Sequence, residues 1–388
     1  MKYDFDSVIN RRGTNAAKWD VPASQLPMWV ADMDFRAAPE IIAALQARLD
    51  HGVFGYTDTP DTWRQAIADW WYYRHGWAVQ PDWLTFCTGV VPALSSLTRT
   101  LAEPGANVVI QAPVYHLFDI CIRNSGRVPV SNDLLYRKGG YQINWKDLTA
   151  KLADPDTHLM VLCNPQNPTG NVWSADQLAR LGELAAANDV IVVADEIHCD
   201  LTMPGVTYTP FASVNAVNAA NSVTLVAPTK AFNIPGLQTS AVITSDEALR
   251  TRVAAGLNRD ELTEPNAFAI EATVAAFTQG KAWLDQARVY IRRNKDRVES
   301  FVAAELPEVK VVASQATYLL WLDCGQLAGD TTEFCDFLRH STGLYLNPGK
   351  MYGDKAGRFV RMNIGCPAKT LEDGLARLRT GVIAWQAR

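Results

Sequence analysis

Between residues 84 and 245 the chain repeats one alternation. A short run of apolar, largely β-branched residues is followed by a segment whose apolar positions fall three and four apart. Thus "WLTFCTG" leads into "VVPALSSLTRTLAEPG" and "NVVIQAP" into "VYHLFDICIRNSG". "HLMVLCNP" is followed by "SADQLARLGELAAAND", where Ser174 and Gln177 have the spacing of a capping box. "DVIVVADE", "SVTLVAP" and "TSAVITS" add three further runs. Runs that stay apolar belong to strands covered on both faces, so the pattern predicts an α/β fold with a mostly parallel central sheet flanked by helices.

Past residue 280 the pattern changes. A long charged helix around "WLDQARVYIRRNKDRVESFVAAEL" precedes "KVVAS", "TYLLWLD" and "RFVRMNIG", which reads as a smaller α+β domain. The expected division is a large domain over 46–280 and a small one over 281–388, with 1–45 associated with the small domain and the site entrance. A chain of 388 residues suits two such units better than one core. Residues 63–83 hold five tryptophans. Trp63, Ile67, Trp70 and Trp71 recur at helical spacing, which predicts a core or subunit-interface face rather than a ligand cage.

Composition narrows the choice mainly by exclusion. A 48% hydrophobic and 20% charged chain is ordinary for a globular protein, and a net charge of −5 gives no basic field for nucleic acid or anionic lipid. The seven cysteines form no C-x-x-C pair and the six histidines no metal-ligand spacing, so neither a disulfide framework nor a zinc site is expected. No apolar signal core opens "MKYDFDSVIN" and no run reaches membrane-span length, which makes the cytoplasm the default expectation. No nucleotide fingerprint of the G-x-G-x-x-G or G-x-x-x-x-G-K-[ST] kind occurs, which removes a dinucleotide-binding enzyme.

The polar residues that matter stand where the apolar runs end. After "TFC" comes Thr88-Gly89-Val90-Val91, a glycine turn opening a helix and thus a place for an anion. After "HLMVLC" comes "NPQNPTG", residues 164–170, a rigid loop with two Asn-Pro steps. After "VIVVA" comes Asp195-Glu196-Ile197-His198, which alone reads equally as a helix cap. After "SVTLV" comes "APTKAFNIPG", with Lys230 before a turn-forming Asn-Ile-Pro-Gly. Alone, Lys230 is an ordinary surface lysine at a helix start. Together, a phosphate-type turn, an asparagine, an acid and a lysine at strand ends suit pyridoxal phosphate, which needs a lysine for its Schiff base, an acid for its ring nitrogen and donors for its phosphate.

From "FGYTDTP" to "RMNIGCP" the chain resembles a fold-type I pyridoxal-phosphate enzyme of the class I/II aminotransferase superfamily. "LPMWVADMDF", "ADEIHCDL" and "APTKAFNIPG" resemble the cystathionine β-lyase, or C–S lyase, branch. The resemblance implies that Lys230 is the Schiff-base lysine and moves the Cα proton, and that Asp195 pairs with the ring nitrogen. Asn167 would face the ring's phenolic oxygen and also the substrate, and Tyr115 the ring face. His198 would lie at the same ring edge, or be a structural histidine at its rim. Gly89, Val90, Val91 and Thr229 would hold the phosphate, joined by Tyr56 from the neighbouring subunit of a homodimer. Arg361 would grip the substrate α-carboxylate, with the Val30 and Ala31 backbone close by, and Trp29, Met33 and Phe35 are candidates for the wall around the leaving group.

The chain departs from typical aminotransferases at two phosphate-binding positions, Ala227 and Gln238, where a serine and an arginine are usual. The expected activity is therefore α,β-elimination from L-cystathionine or another S-substituted cysteine, giving a thiol, pyruvate and ammonia. Either Lys230 or Tyr115 would protonate the leaving thiolate. The alternatives are an aminotransferase using the same residues, and a regulatory binding protein that keeps the fold.

Overall fold

The computed structural model describes residues 2–388. Its central sheet has seven strands, in the order Leu84–Cys87, Ser240–Ile243, Ser222–Val226, Ile191–Asp195, Thr157–Cys163, Asn107–Ile110 and Val128–Ser131. All neighbours run parallel except Ser240–Ile243, which is antiparallel to both of its own. Ser222–Val226 is buried at every position, which explains its unbroken run of apolar and small residues. Parallel pairing has a further consequence. Cys163, Asp195 and Val226 end their strands on one edge of the sheet, so the polar residues that follow all collect there.

The segments between strands form the expected helices. Val90–Leu101 and Leu117–Asn124 follow the first two runs, and Ala175–Ala186 starts at a complete capping box: the Ser174 N–H donates to Gln177 Oε1 at 2.9 Å and the Gln177 N–H to Ser174 Oγ at 3.3 Å. Helix Asp61–His75 carries the tryptophan-rich stretch. Trp63, Ile67, Trp70 and Trp71 are buried within this chain, where Trp70 and Trp71 pack on Phe277 and Trp63 on Phe86.

A second, four-stranded antiparallel sheet has the order Lys310–Val311, Leu319–Asp323, Phe359–Asn363, Asn347–Pro348. Its register sets Trp321 opposite Arg361 and Leu319 opposite Asn363. The 25-residue helix Lys281–Glu305 precedes it. Leu26–Pro27 pairs in parallel with Leu344–Tyr345, which brings the stretch that follows, residues 29–35, between the two sheets. Among the described residues, no helix is long and apolar enough to cross a membrane.

Candidate active site

The strand-end residues surround a cavity of about 380 Å³. Its wall includes Gly89, Val90, Val91, Tyr115, Asn167, Asp195, His198, Thr229, Lys230 and Ala31, brought together from positions up to 199 residues apart. A larger cavity, of about 810 Å³, lies by Trp70, Arg74 and His75, but Arg74, His75, Asp200 and Arg288 already have partners there. There His75, Cys199 and Asp200 come within 4.8 Å of one another, yet Asp200 is taken up by Arg74 at 2.9 Å, His75 at 3.0 Å and the Trp70 indole at 3.1 Å. That is a closed ion-pair network rather than an open set of metal ligands.

At the helix end of the smaller cavity, Gly89 caps Val90–Leu101. Ala93 N–H bonds the Gly89 carbonyl at 3.0 Å and Pro92 has no N–H, so the N–H groups of Val90 and Val91 stand outside the helical ladder. A Cβ on Gly89 would lie 3.2 Å from Pro92 Cδ, so a glycine suits this tight start. The Thr229 hydroxyl belongs to a buried residue in the same wall.

Asp195 is buried at the end of its strand, and its carboxylate accepts one bond, from Ile197 N–H at 3.2 Å. Burial pushes its pKa up to about 6, since no cation is in contact and the Lys230 charge offsets only part of the desolvation. His198 is buried with an unpartnered Nδ1. Burial, then the nearby Lys230 and Arg361 charges, hold its pKa down at about 3, so the imidazole is neutral.

The rigid loop after Cys163 is pinned by Gln166, whose Nε2 donates to the Gln111 carbonyl at 3.0 Å and the Pro113 carbonyl at 3.2 Å. This fixes Asn167, whose Oδ1 accepts from Arg361 Nη1 at 3.1 Å and so leaves the amide N–H₂ as the donor for the cavity. Arg361 is buried, its Nη2 donates to the Trp29 carbonyl at 2.8 Å, and its Nε has no partner. Lys230 Nζ donates to the Ala31 carbonyl at 2.7 Å. Burial lowers its pKa to about 8; Asp32 and Asp195 oppose that shift and Arg361 adds to it. Tyr115 stands in the loop before helix Leu117–Asn124, and burial raises its phenol to about 12.

Not every expected residue reaches the wall. Arg361 stands behind Asn167, and Val30 is held away, its carbonyl accepting from Asn363 Nδ2. Tyr56 is fully exposed on the loop before helix Asp61–His75 and does not approach this chain's cavity. Phe35 turns instead into the core against Phe5 at 5.1 Å and Tyr290 at 5.4 Å, Met33 is fully buried, and Trp29 stacks on Tyr345 at 4.8 Å, so none of the three lines the cavity. Other wall residues carried no sequence signal for this role, among them Pro92, Cys163, Ile197, Pro235 and Thr239, while Gln238, read as a missing charge, enters through a left-handed backbone (φ 51°). A buried, unpaired carboxylate, a lysine held partly neutral, free N–H groups at a helix start and an unpartnered guanidinium Nε fit pyridoxal phosphate with an amino acid beside it.

Fold and site together define the class. The family described as aminotransferase class I and II matches residues 25–378, and the chain belongs to it. Cystathionine β-lyase PatB of Bacillus subtilis (strain 168) is 44% identical over 385 residues, covering 98% of this chain and 100% of that protein. Protein MalY of Escherichia coli (strain K12) is 35% identical over 390 residues, 98% and 99% of the two chains. The crystal structure of cystalysin from Treponema denticola, which contains pyridoxal 5'-phosphate, superposes with a TM-score of 0.96 at 31% identity, over 99% of this chain and 100% of that one.

Proposed function

We propose that the protein is a pyridoxal-phosphate-dependent carbon–sulfur β-lyase that cleaves L-cystathionine or related S-substituted cysteines to a thiol, pyruvate and ammonia. The observation that carries this is the Lys230 amine, bonded to the Ala31 carbonyl and with its pKa lowered to about 8, on the same cavity as an unpaired buried Asp195. Kinship with PatB and MalY, and Ala227 and Gln238 at the two positions noted above, favour elimination over amino transfer.

The residues divide the work by position. Asp195 would pair with the cofactor's ring nitrogen, the Asn167 amide would donate to its phenolic oxygen, and Tyr115 would cover a ring face, with His198 at the edge. Val90 and Val91 N–H groups and Thr229 would hold the phosphate. When bound, pyridoxal phosphate supplies the electron sink for the pair left at Cα. Arg361, one hydrogen bond behind Asn167 and with its Nε unpartnered, would supply the charge that orients the substrate carboxylate. Lys230, partly deprotonated near neutral pH, takes the Cα proton. The electron pair from that C–H bond forms the Cα=Cβ bond as the Cβ–S bond breaks, and the thiolate leaves with the sulfur pair. The released aminoacrylate hydrolyses to pyruvate and ammonia.

Three further assignments accompany this one. A homodimer in which Tyr56 serves the neighbouring site accounts for a tyrosine fully exposed on a loop. A reducing, cytoplasmic setting suits seven free, buried thiols. Boundaries near 45 and 280 leave the seven-stranded and the four-stranded sheet each whole within one domain. The test of the activity is product analysis: the holoenzyme given L-cystathionine alone should form homocysteine and pyruvate in equal amounts, and should lose both in Lys230→Ala. Homocysteine and pyruvate absent from the wild type would reject cystathionine as substrate.

A further inference from the structure

Residues Trp29–Phe35 form no helix or strand, yet nearly every carbonyl in them is taken by a side chain. Trp29 O accepts from Arg361 and Asn347, and Val30 O from Asn363. Ala31 O accepts from Lys230 and from the Tyr318 hydroxyl at 3.0 Å, and Asp32 O from Asn363 and Lys18. The strongest grip comes from one residue. Asn233 Oδ1 accepts from Met33 N–H at 2.9 Å, while its Nδ2 donates to Met33 O at 2.9 Å and Phe35 O at 2.8 Å. Asn233 adopts a left-handed backbone (φ 57°), a conformation that asparagine tolerates better than most residues, and it lies three positions after Lys230 on the same turn. One loop therefore carries the reactive amine and holds the stretch whose carbonyl receives it.

The side chains of that stretch are anchored as well. Arg11 pairs with Asp32 and with Asp34 at 2.7 Å each, and the fully buried Lys18 pairs with Asp34 at 2.8 Å. This is more restraint than an irregular connection needs. It acts on the one segment that touches both Lys230 and Arg361.

On the lyase assignment above, we propose that the Ala31 carbonyl is the docking acceptor for the Lys230 amine whenever that amine is not joined to the cofactor, and that Asn233 is the positioning residue that keeps it there. In elimination the freed lysine must first be a base and then carry the Cα proton. A fixed carbonyl serves both states, because it accepts an N–H from the amine and a stronger, charge-assisted one from the ammonium. Besides Tyr318, which shares the Ala31 carbonyl, and Tyr115 and Cys163 on the cavity wall, four charged or titratable groups face the lysine: Asp32 on the same segment, Asp195 at its strand end, Arg361 on the small sheet and His198. None of the four is an acceptor in contact with Nζ; Ala31 O is.

The test is Asn233→Ala, which removes three bonds and leaves the anchors through Arg361, Asn363, Lys18 and Arg11 in place. The first readout needs no cofactor: acylation of Lys230 in the apoprotein by acetic anhydride, followed by peptide mapping across pH. The wild type should titrate near pH 8. The variant should titrate lower, because burial remains while the acceptor that stabilises the ammonium is loosened. An unchanged or raised midpoint overturns the proposal. The second readout is the primary isotope effect with α-deuterated cystathionine, which should rise in the holo variant as proton removal becomes slower. Asn233→Gln keeps the amide without adding a charge and guards against a loss that is only unfolding; its midpoint should fall between the two, and a midpoint below that of the alanine variant also overturns the proposal. Because acylation is read on the apoprotein, failure here leaves the lyase assignment to be judged on its products.

Discussion

At its lysine end the cavity is finished within one chain. Ala31 receives the amine, Asn167 and Trp29 hold Arg361, and the stretch that carries Trp29 and Ala31 is tied to both sheets. At the helix end the wall offers the N–H groups of Val90 and Val91, the Thr229 hydroxyl and Gln238, with no arginine or lysine among them. A helix start supplies roughly half a unit of positive charge, less than a phosphate dianion carries. The contrast teaches where each part of the reaction is secured. On the proposed assignment, proton transfer and carboxylate binding would be organised by side chains of this chain, while phosphate binding would rely on backbone dipoles and, in the proposed dimer, on Tyr56 from a second copy.

The largest expected effect falls at the lysine end. Lys230→Ala should lower pyruvate formation by about 10³-fold or more, as expected for loss of both covalent attachment and the general base. Asp195→Asn should cost about 10²-fold in kcat by leaving the ring nitrogen without its carboxylate, a loss worth about 2.7 kcal/mol of barrier. The same substitution should stabilise the apoprotein. A carboxyl raised from 3.8 to about 6 on folding penalises the folded state progressively as pH rises from about 4 to 6, and fully above that. Urea unfolding of apo Asp195→Asn should therefore show a gain of up to about 3 kcal/mol at pH 8 and almost none near pH 4.

Arg361→Lys keeps the charge but loses the planar fork, and should raise KM for cystathionine by about 10-fold or more. If KM stays constant while kcat falls, the arginine does not bind the carboxylate. Tyr56→Phe should have the smallest effect, a few-fold weaker hold on the cofactor with little change in kcat at saturating cofactor. Mixing subunits sharpens that weakest point. A Lys230→Ala subunit paired with a Tyr56→Ala subunit rebuilds one intact site if Tyr56 crosses the interface. Recovery of cofactor binding in the mixture should be seen, and its absence in exchanging dimers would return the phosphate to a single chain.

Much of the lysine end was legible because the sheet's own logic announces it. Four strand-end motifs follow unbroken apolar runs, and parallel pairing sends the residues after Cys163, Asp195 and Val226 to one edge. The two-residue period of a strand likewise puts Phe359, Arg361 and Asn363 on one face. The stretch 29–35 was harder. It has no period, and Met33 and Phe35 look like pocket lining when they are core, because an irregular backbone turns side chains by local dihedrals rather than by a fixed repeat. Asn233 read only as a turn residue, since nothing local reveals that its amide meets a segment 200 positions away. Gln238 was read as a missing charge, and its left-handed backbone, which brings it to the cavity, has no sequence mark.

On the lyase assignment the electron pair at Cα expels a β-thiolate instead of awaiting an acceptor. The most direct measurement is the initial rate of pyruvate formation from L-cystathionine with and without an added 2-oxo acid, using an acceptor other than pyruvate. The lyase requires the same rate in both, with one homocysteine per pyruvate. Turnover that appears only with the 2-oxo acid, with the amino group found on that acid, would contradict the account and make the protein an aminotransferase.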